Sequence, residues 1–161
     1  MRISAKAEYA VRAACELAAA PPGPVKREHL SERQEIPDRF LENILGELRN
    51  AGIVESQRGS DGGYWLTRPS DEITLAEVIR AVDGPLATVR GSRPETIRYD
   101  GVTESLRDVW LALRARIRSV LERVTLEDVV NGKLPDDVLE AISHSSADGS
   151  DPTAPPGPPA R

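Results

Sequence analysis

Cysteine, histidine and aromatic residues are scarce in this sequence. Its 161 residues include one cysteine, Cys15, and two histidines, His29 and His144, and only 4% are aromatic. A single cysteine cannot form a disulfide within the chain, and it cannot ligate zinc or an iron–sulfur cluster alone. Because the two histidines lie far apart in the sequence, we expect neither a metal site nor a cofactor.

Long hydrophobic runs are also missing. No stretch approaches the roughly 18 consecutive apolar residues that a membrane-spanning helix needs. The alanine-rich N-terminus resembles a signal peptide, but Lys6, Glu8, Arg12 and Glu16 interrupt it at helical spacing. This pattern is typical of an amphipathic helix rather than an export signal. We therefore expect a cytoplasmic protein that does not enter a membrane.

The sequence also lacks the residue combinations that catalysis requires. It has no Ser/His/Asp arrangement in a supporting context and no phosphate-binding loop. Its glycine-rich segment 59–63 lies between two predicted strands rather than before a helix, so it is not a nucleotide-binding motif. An enzymatic function is therefore not expected.

The net charge of −5 argues against nucleic-acid binding only when the chain is taken as a whole. Up to Pro69, acidic and basic residues are equal in number, and the whole negative excess follows that residue. Whether cations share one face of the fold therefore matters more than the total charge.

The most informative stretch runs from Ile36 to Thr67. It predicts a helix up to about Ala51, with Pro37 in its first turn, and then strands at Ile53–Gln57 and Gly63–Thr67 joined by a glycine-rich turn. Apolar residues recur every three to four positions along the helix and predict its buried face: Phe40, Leu41, Ile44, Leu45 and Leu48. A helix followed by a two-stranded hairpin is the arrangement of a winged helix-turn-helix.

Three polar residues at the start of this helix are candidates for reading DNA bases. They are Arg39, Glu42 and Asn43. In helix-turn-helix proteins this part of the recognition helix meets base edges. Arginine can bind guanine, asparagine can bind adenine, and glutamate can accept a hydrogen bond from cytosine. An ordinary solvent-facing helix would carry similar residues, and it is the attached hairpin that favours DNA binding.

Further cations are candidates for contacts with the DNA backbone. Arg58 lies at the tip of the predicted wing, where it can reach an adjacent minor groove, although Asp61 weakens the local positive field. The predicted phosphate contacts are Arg2, Lys6, Lys26 and Arg27. Each of these four is equally compatible with a solvated surface.

Outside this stretch, the sequence predicts a mostly α-helical fold with a small β wing. Ser4 is the expected N-cap of the first helix, Thr74 and Glu77 form the expected capping box of a later helix, and Gly52 follows the helix that ends near Ala51.

We assign residues 1–85 to a winged helix-turn-helix domain and residues 86–102 to a linker or sensing loop. Residues 103–142 form a dimerisation helix with short helices after it, and residues 143–161 form a disordered tail rich in Ser, Asp, Gly and Pro.

The longest predicted helix, residues 103–123, has an apolar stripe. A long helix of this kind needs a partner that the short C-terminal segment hardly provides, so we expect it to pack against a second copy of the chain. The residues predicted to dimerise are Leu106, Val109, Trp110, Leu113, Ile117 and Leu121.

Several separate segments match one family. The segments MRISAKAEYAVRA, LSERQEIPDRFLENILGELRNAGIV and RGSDGGYWLTRPSDEITLAEVIRAVDG resemble the first helix, the helix-turn-helix and the wing of the Rrf-type family of winged-helix transcription regulators. The resemblance covers about residues 1–85. It implies a homodimer that binds a palindromic operator in double-stranded DNA, usually as a repressor. By the same resemblance, Arg39 and Glu42 match recognition-helix positions and Arg58 matches the wing arginine.

The sequence departs from the iron–sulfur members of this family. Those members carry three closely spaced cysteines after the segment that matches VDGP, and this chain has none there. Glu8 matches a position that ligates a cluster in an unusual member, but Arg12 stands where that member has histidine. We therefore expect a member without a cluster, whose effector could be a small molecule or a protein.

Two other functions remain open on the sequence. The balanced charge of residues 1–69 is compatible with a winged-helix module that binds a partner enzyme instead of DNA. Cys15 could serve as a redox sensor, although a cysteine in an alanine-rich helix is more often a small buried residue.

Overall fold

A computed structural model describes residues 3–147, and the fold is mostly helical with one small antiparallel sheet, as predicted. Three short 3₁₀ turns occur at Ser70–Glu72, Pro94–Thr96 and Gly101–Thr103. The α-helices are α1 (Ala5–Ala19), α2 (Arg27–Gln34), α3 (Asp38–Asn50), α4 (Leu75–Asp83), α5 (Leu106–Leu121), α6 (Leu126–Asn131) and α7 (Asp136–Ala147), and the strands are β1 (Val54–Gln57) and β2 (Gly63–Leu66).

Helix α1 forms the centre of the core. Its N-cap is Ser4, as predicted, and the Ser4 hydroxyl accepts a hydrogen bond from the Ala7 amide at 2.9 Å. The inner face of α1 is built from small residues that are fully buried: Ala7, Ala10, Ala13 and Ala14. Because these side chains are short, α2, α3, α4 and α6 all pack closely around this helix.

The helix-turn-helix consists of α2 and α3. Helix α2 ends at Gln34, and the left-handed backbone of Glu35 (φ 51°) then turns the chain. Pro37 occupies the N-cap position of α3 rather than its first turn. The predicted buried face is confirmed by four residues that are completely inaccessible to solvent: Leu41, Ile44, Leu45 and Leu48.

The prediction that Phe40 is a core residue is wrong. Its side chain is 50% exposed. One residue of an α-helix corresponds to about 100° of rotation, so Phe40 points to the side of the buried row that begins at Leu41. Its ring instead packs edge-to-face on Tyr9 of α1, with ring centroids 6.1 Å apart.

The wing is a two-stranded antiparallel hairpin in which Val54 pairs with Leu66 and Gln57 pairs with Gly63. Two hydrogen bonds, of 2.9 and 2.8 Å, connect Tyr64 to the backbone of Val25 and join the hairpin to the segment before α2. A Cβ atom on Gly63 would lie 2.5 Å from the Val25 carbonyl oxygen. Glycine is therefore required here for close approach of two backbones, whereas the sequence only predicted Gly63 as the first residue of the second strand.

Helices α4 and α6 begin in the same way and side by side. Thr74 and Thr125 each form a capping box, with Glu77 and Asp128 respectively, and the Thr74 box was predicted. Burial alone would raise the pKa of Glu77, but hydrogen bonds from Thr74 and Arg68 hold it below its ordinary value. The two helix starts are joined by backbone hydrogen bonds of 2.9 Å.

This connection brings α6 into the core of the N-terminal domain, where Leu126 is fully buried with residues of α1. The sequence grouped α6 with the dimerisation helix.

Segment 86–102 lies against α5. Arg114 of α5 bonds the Leu86 carbonyl oxygen and pairs with Glu95 at 3.2 Å. The Trp110 indole N–H donates to the Tyr99 hydroxyl at 3.1 Å. Helix α5 begins later than the sequence suggested, because a 3₁₀ turn occupies residues 101–103.

At the C-terminal end of the described region, α7 continues through residues 143–147, which the sequence assigned to the tail. The rest of the predicted tail, 148–161, and the predicted phosphate contact Arg2 lie outside the described residues. No helix within residues 3–147 combines the length and the apolar character needed to cross a membrane.

Candidate nucleic-acid interface

The side of α3 opposite its buried row faces solvent. Arg39, Asn43, Gly46 and Asn50 follow one another along it at intervals of three or four residues, so they share one face of the helix. The side chains of Arg39 and Asn43 are exposed and form no hydrogen bond or ion pair with other residues in the described part of the chain. Their donors are therefore available to an external ligand.

Glu42 lies on the flank of this face and is partly neutralised. Its carboxylate is 3.9 Å from the guanidinium of Arg27 in α2, and Arg27 also pairs with Glu28 at 3.4 Å. Arg27 is thereby held beside the N-terminus of α3. A contact between Glu42 and cytosine would compete with this weak ion pair.

The tip of the wing carries Arg58, which is exposed and has no side-chain partner among residues 3–147. The turn that holds it is fixed by Lys26, whose ammonium group bonds the Gly59 carbonyl at 3.4 Å and the Ser60 carbonyl. Lys26 thus connects the start of α2 to the wing tip.

Lys6 is also engaged within the chain. Its ammonium group lies 3.2 Å from the carboxylate of Glu47 on α3. Lys6, Lys26 and Arg27 all have intramolecular partners, so a phosphate contact by any of them would be shared with those partners. Two features of this face were not predicted from the sequence. They are Asn50, which the helical spacing from Asn43 indicates, and the cavity around Gly46.

Cys15 lies in α1 in an environment that disfavours the thiolate. Burial, followed by the nearby carboxylate of Glu16, raises the pKa of the Cys15 thiol to about 11. Since the thiolate is the reactive form, Cys15 is poorly placed for redox sensing at neutral pH.

We predict that Cys15 of the folded protein reacts slowly with iodoacetamide at pH 8, and that the rate rises steeply as the pH approaches 11. Mass spectrometry of quenched time points measures this rate, and the same reaction in denaturant provides the reference. Modification at an equal rate in the folded and denatured protein would contradict the assignment.

Helix α5 has no fully buried side chain among its 16 residues. Val109 and Leu113 of its apolar stripe are 55% and 44% exposed. The other four predicted dimerisation residues are half-buried against their own chain: Leu106, Trp110, Ile117 and Leu121. The edge of the apolar stripe at Val109 and Leu113 therefore lies open on this helix.

Comparison with known proteins assigns the family. The model of the Rrf2 family, described as an iron-dependent transcriptional regulator, matches residues 3–132. The chain belongs to the Rrf2 family of transcriptional regulators. It is 52% identical over 141 residues to the helix-turn-helix protein Rv1287 of Mycobacterium tuberculosis strain H37Rv, covering 87% of this chain and 88% of the relative. It is 33% identical over 132 residues to the transcriptional regulator CymR of Bacillus subtilis, covering 81% and 91%.

Solved structures of this family share the fold. The global cysteine regulator CymR of B. subtilis superposes with a TM-score of 0.69 at 32% identity, over 81% of this chain and 97% of that one. The IscR of T. potens superposes with a TM-score of 0.66 at 31% identity, over 82% and 88%. The resemblance inferred from the sequence is confirmed, and this Rrf2-family chain is a transcriptional regulator, not an enzyme.

The iron dependence in the family description does not fit the residues of this chain. A cysteine-ligated cluster needs several thiolates, and Cys15 is the single cysteine. Within residues 3–147, no group of three or more His, Cys, Asp or Glu side chains is arranged to hold a metal ion.

Proposed function

We propose that this Rrf2-family regulator is a homodimeric repressor that binds a palindromic operator and works without an iron–sulfur cluster. The observation that carries the proposal is the set of exposed, unpaired donors on α3 and the wing: Arg39, Asn43 and Arg58. Arginine and asparagine recognise guanine and adenine in the major groove. A basic side chain on a hairpin tip suits the neighbouring minor groove.

Dimerisation is supported by the open stripe on α5. An apolar helix face that remains exposed in one chain is stabilised by burial against a second copy, and twofold symmetry is the usual arrangement of such pairs. Two copies of α3 related by this symmetry would read two inverted half-sites. A dimer that covers a promoter in this way hinders transcription, which is the usual role among the family members that the sequence resembles.

The proposal is tested by selecting duplexes from a random-sequence DNA library on the purified protein. We expect an inverted repeat whose half-site centres are about 34–36 Å apart, or a multiple of that distance. Affinity should fall steeply between low and physiological salt, because phosphate contacts release counterions.

Failure to enrich any sequence, together with no gel shift at low salt, would contradict DNA binding and favour a module that binds a partner protein. Enrichment of a single, non-repeated site would contradict the palindromic dimer. An iron-containing, coloured protein from anaerobic purification would contradict the absence of a cluster.

A further inference from the structure

A glycine lies in the middle of α3 at a position where no contact within residues 3–147 calls for one. Gly46 belongs to α3 and is not among the residues with positive φ, so its backbone conformation is open to any amino acid. A Cβ atom built on it would meet nothing within 4 Å, so packing does not require glycine either. Glycine in a helix interior destabilises the helix relative to alanine. Without a side chain at this position, the backbone of α3 is open to a close approach by a group from outside the protein.

The missing side chain leaves a cavity on the outward face of α3. Its volume is about 420 Å³, and we call it the α3 notch. Asn43 and Asn50 line it one turn before and one turn after Gly46, and Phe40 lines it on one side. The notch is therefore a recess between two amide side chains with Phe40 as its apolar wall, in the part of the helix that faces DNA in the proposed function.

Three charged side chains also line the notch. Lys6 and Glu47 form an ion pair at 3.2 Å, and the carboxylate of Glu42 lies 3.9 Å from the guanidinium of Arg27. The Glu47 carboxylate is thus balanced by Lys6 and adds little repulsion toward the DNA backbone. Phe40 is 50% exposed yet held in place by its edge-to-face contact with Tyr9. An exposed aromatic ring with a fixed orientation gives the recess a rigid apolar wall.

An A·T base pair presents chemistry that matches this surface in the major groove. Adenine offers N7 and its amino group, which asparagine recognises, and thymine offers its C5 methyl group, which apolar side chains such as phenylalanine contact. We propose that the α3 notch, formed by Gly46 and walled by Phe40, receives the C5 methyl group of a thymine in each half-site. This inference rests on the proposed function, because it requires α3 to enter the major groove.

The test uses operator duplexes obtained by library selection, with each thymine replaced in turn by deoxyuridine. This replacement removes the methyl group and leaves the hydrogen-bonding groups unchanged. We expect wild-type protein to lose about fourfold in affinity at one symmetric position in each half-site, the loss expected from one buried methyl group. Phe40→Ala should abolish this preference for thymine over uracil.

Gly46→Leu fills the notch with a residue that favours helix formation, so the variant should fold with an unchanged or higher Tm. We expect it to bind the thymine-containing operator at least about fifteenfold more weakly, because each of the two subunits loses a methyl contact worth about fourfold and a modest clash adds to the loss. It should also no longer distinguish thymine from uracil. Ala141→Leu, which adds a leucine to the exposed residue 141 of α7, is the control and should retain both affinity and preference.

Three outcomes overturn the inference. If the wild-type protein binds every uracil duplex as tightly as the thymine duplex, it makes no contact with a methyl group. This conclusion holds even if Gly46→Leu weakens binding. A Gly46→Leu protein that keeps both affinity and thymine preference shows that the notch is not the contact. Wild-type protein that binds no selected duplex overturns the proposed function and this inference together, a result distinguishable from the other two.

Discussion

Replacing Arg39 with alanine is expected to weaken operator binding by about fivefold to 150-fold for each half-site, because each subunit loses one bidentate contact with guanine worth about 1–3 kcal/mol. Arg39 is exposed on the outward face of α3 and has no partner among the described residues, so the substitution removes no intramolecular interaction. The variant should retain the wild-type Tm. Its preference at one guanine in each half-site should relax, as measured by titration of duplexes with each base at that position.

Arg98→Ala is the matched control, because it removes the same charge from an exposed position in segment 86–102, outside α3, the wing and α5. It should reduce affinity by little, and equally for all duplexes.

Arg58→Ala is expected to act differently from Arg39→Ala. It should weaken binding mainly to duplexes whose flanking minor groove is narrow and A·T-rich. If Arg39→Ala bound all duplexes as tightly as the wild type, the role of α3 as the reading helix would be contradicted.

Replacing Leu113 with glutamate is expected to convert the dimer to a monomer. Leu113 is 44% exposed on the apolar stripe of α5, and a charge at the centre of a dimer interface would be buried without a partner. Sedimentation velocity at micromolar concentration should show a single species of about 17.5 kDa, the mass of one chain. Operator affinity should fall at least a hundredfold, because two half-sites are no longer held by one particle.

Ala115→Glu is the control for this substitution. Ala115 is also exposed on α5, but it lies about 160° around the helix axis from Leu113. The control should remain dimeric and bind DNA normally. A Leu113→Glu protein that still sediments as a dimer, or a wild-type protein that is monomeric, would show that α5 does not form the interface.

The secondary structure was largely predictable because it depends on local signals. Ser4 and Thr74 as helix caps and Gly52 after α3 identified helix ends from a few neighbouring residues. Phe40 shows where periodicity is insufficient. A hydrophobic residue at the edge of an apolar stripe is assigned to the core by spacing, whereas only the packed structure shows that Leu41 already fills the buried row.

The interactions around the candidate interface could not be predicted from the sequence, because they join residues that are distant in sequence. Polar residue types at the start of α3 were visible in the sequence, but the ion pair of Lys6 with Glu47 joins residues 41 positions apart. The bond from Lys26 to the wing tip likewise spans 33 positions. No local pattern encodes such pairs. The reason for Gly63 was hidden in the same way, because Val25 is the residue that would collide with a side chain there.

Helix α5 is attached to the rest of its chain near its middle and at its C-terminal end. Arg114, near the middle, bonds the Leu86 carbonyl oxygen and pairs with Glu95, and the Glu122 carboxylate just after the last turn accepts from Arg80 of α4. The two reading helices of an α5-paired dimer would therefore have one fixed separation and little freedom to adapt. An operator with one extra base pair between its half-sites would present the second groove rotated by about 34°, and the dimer could engage only one half-site at a time.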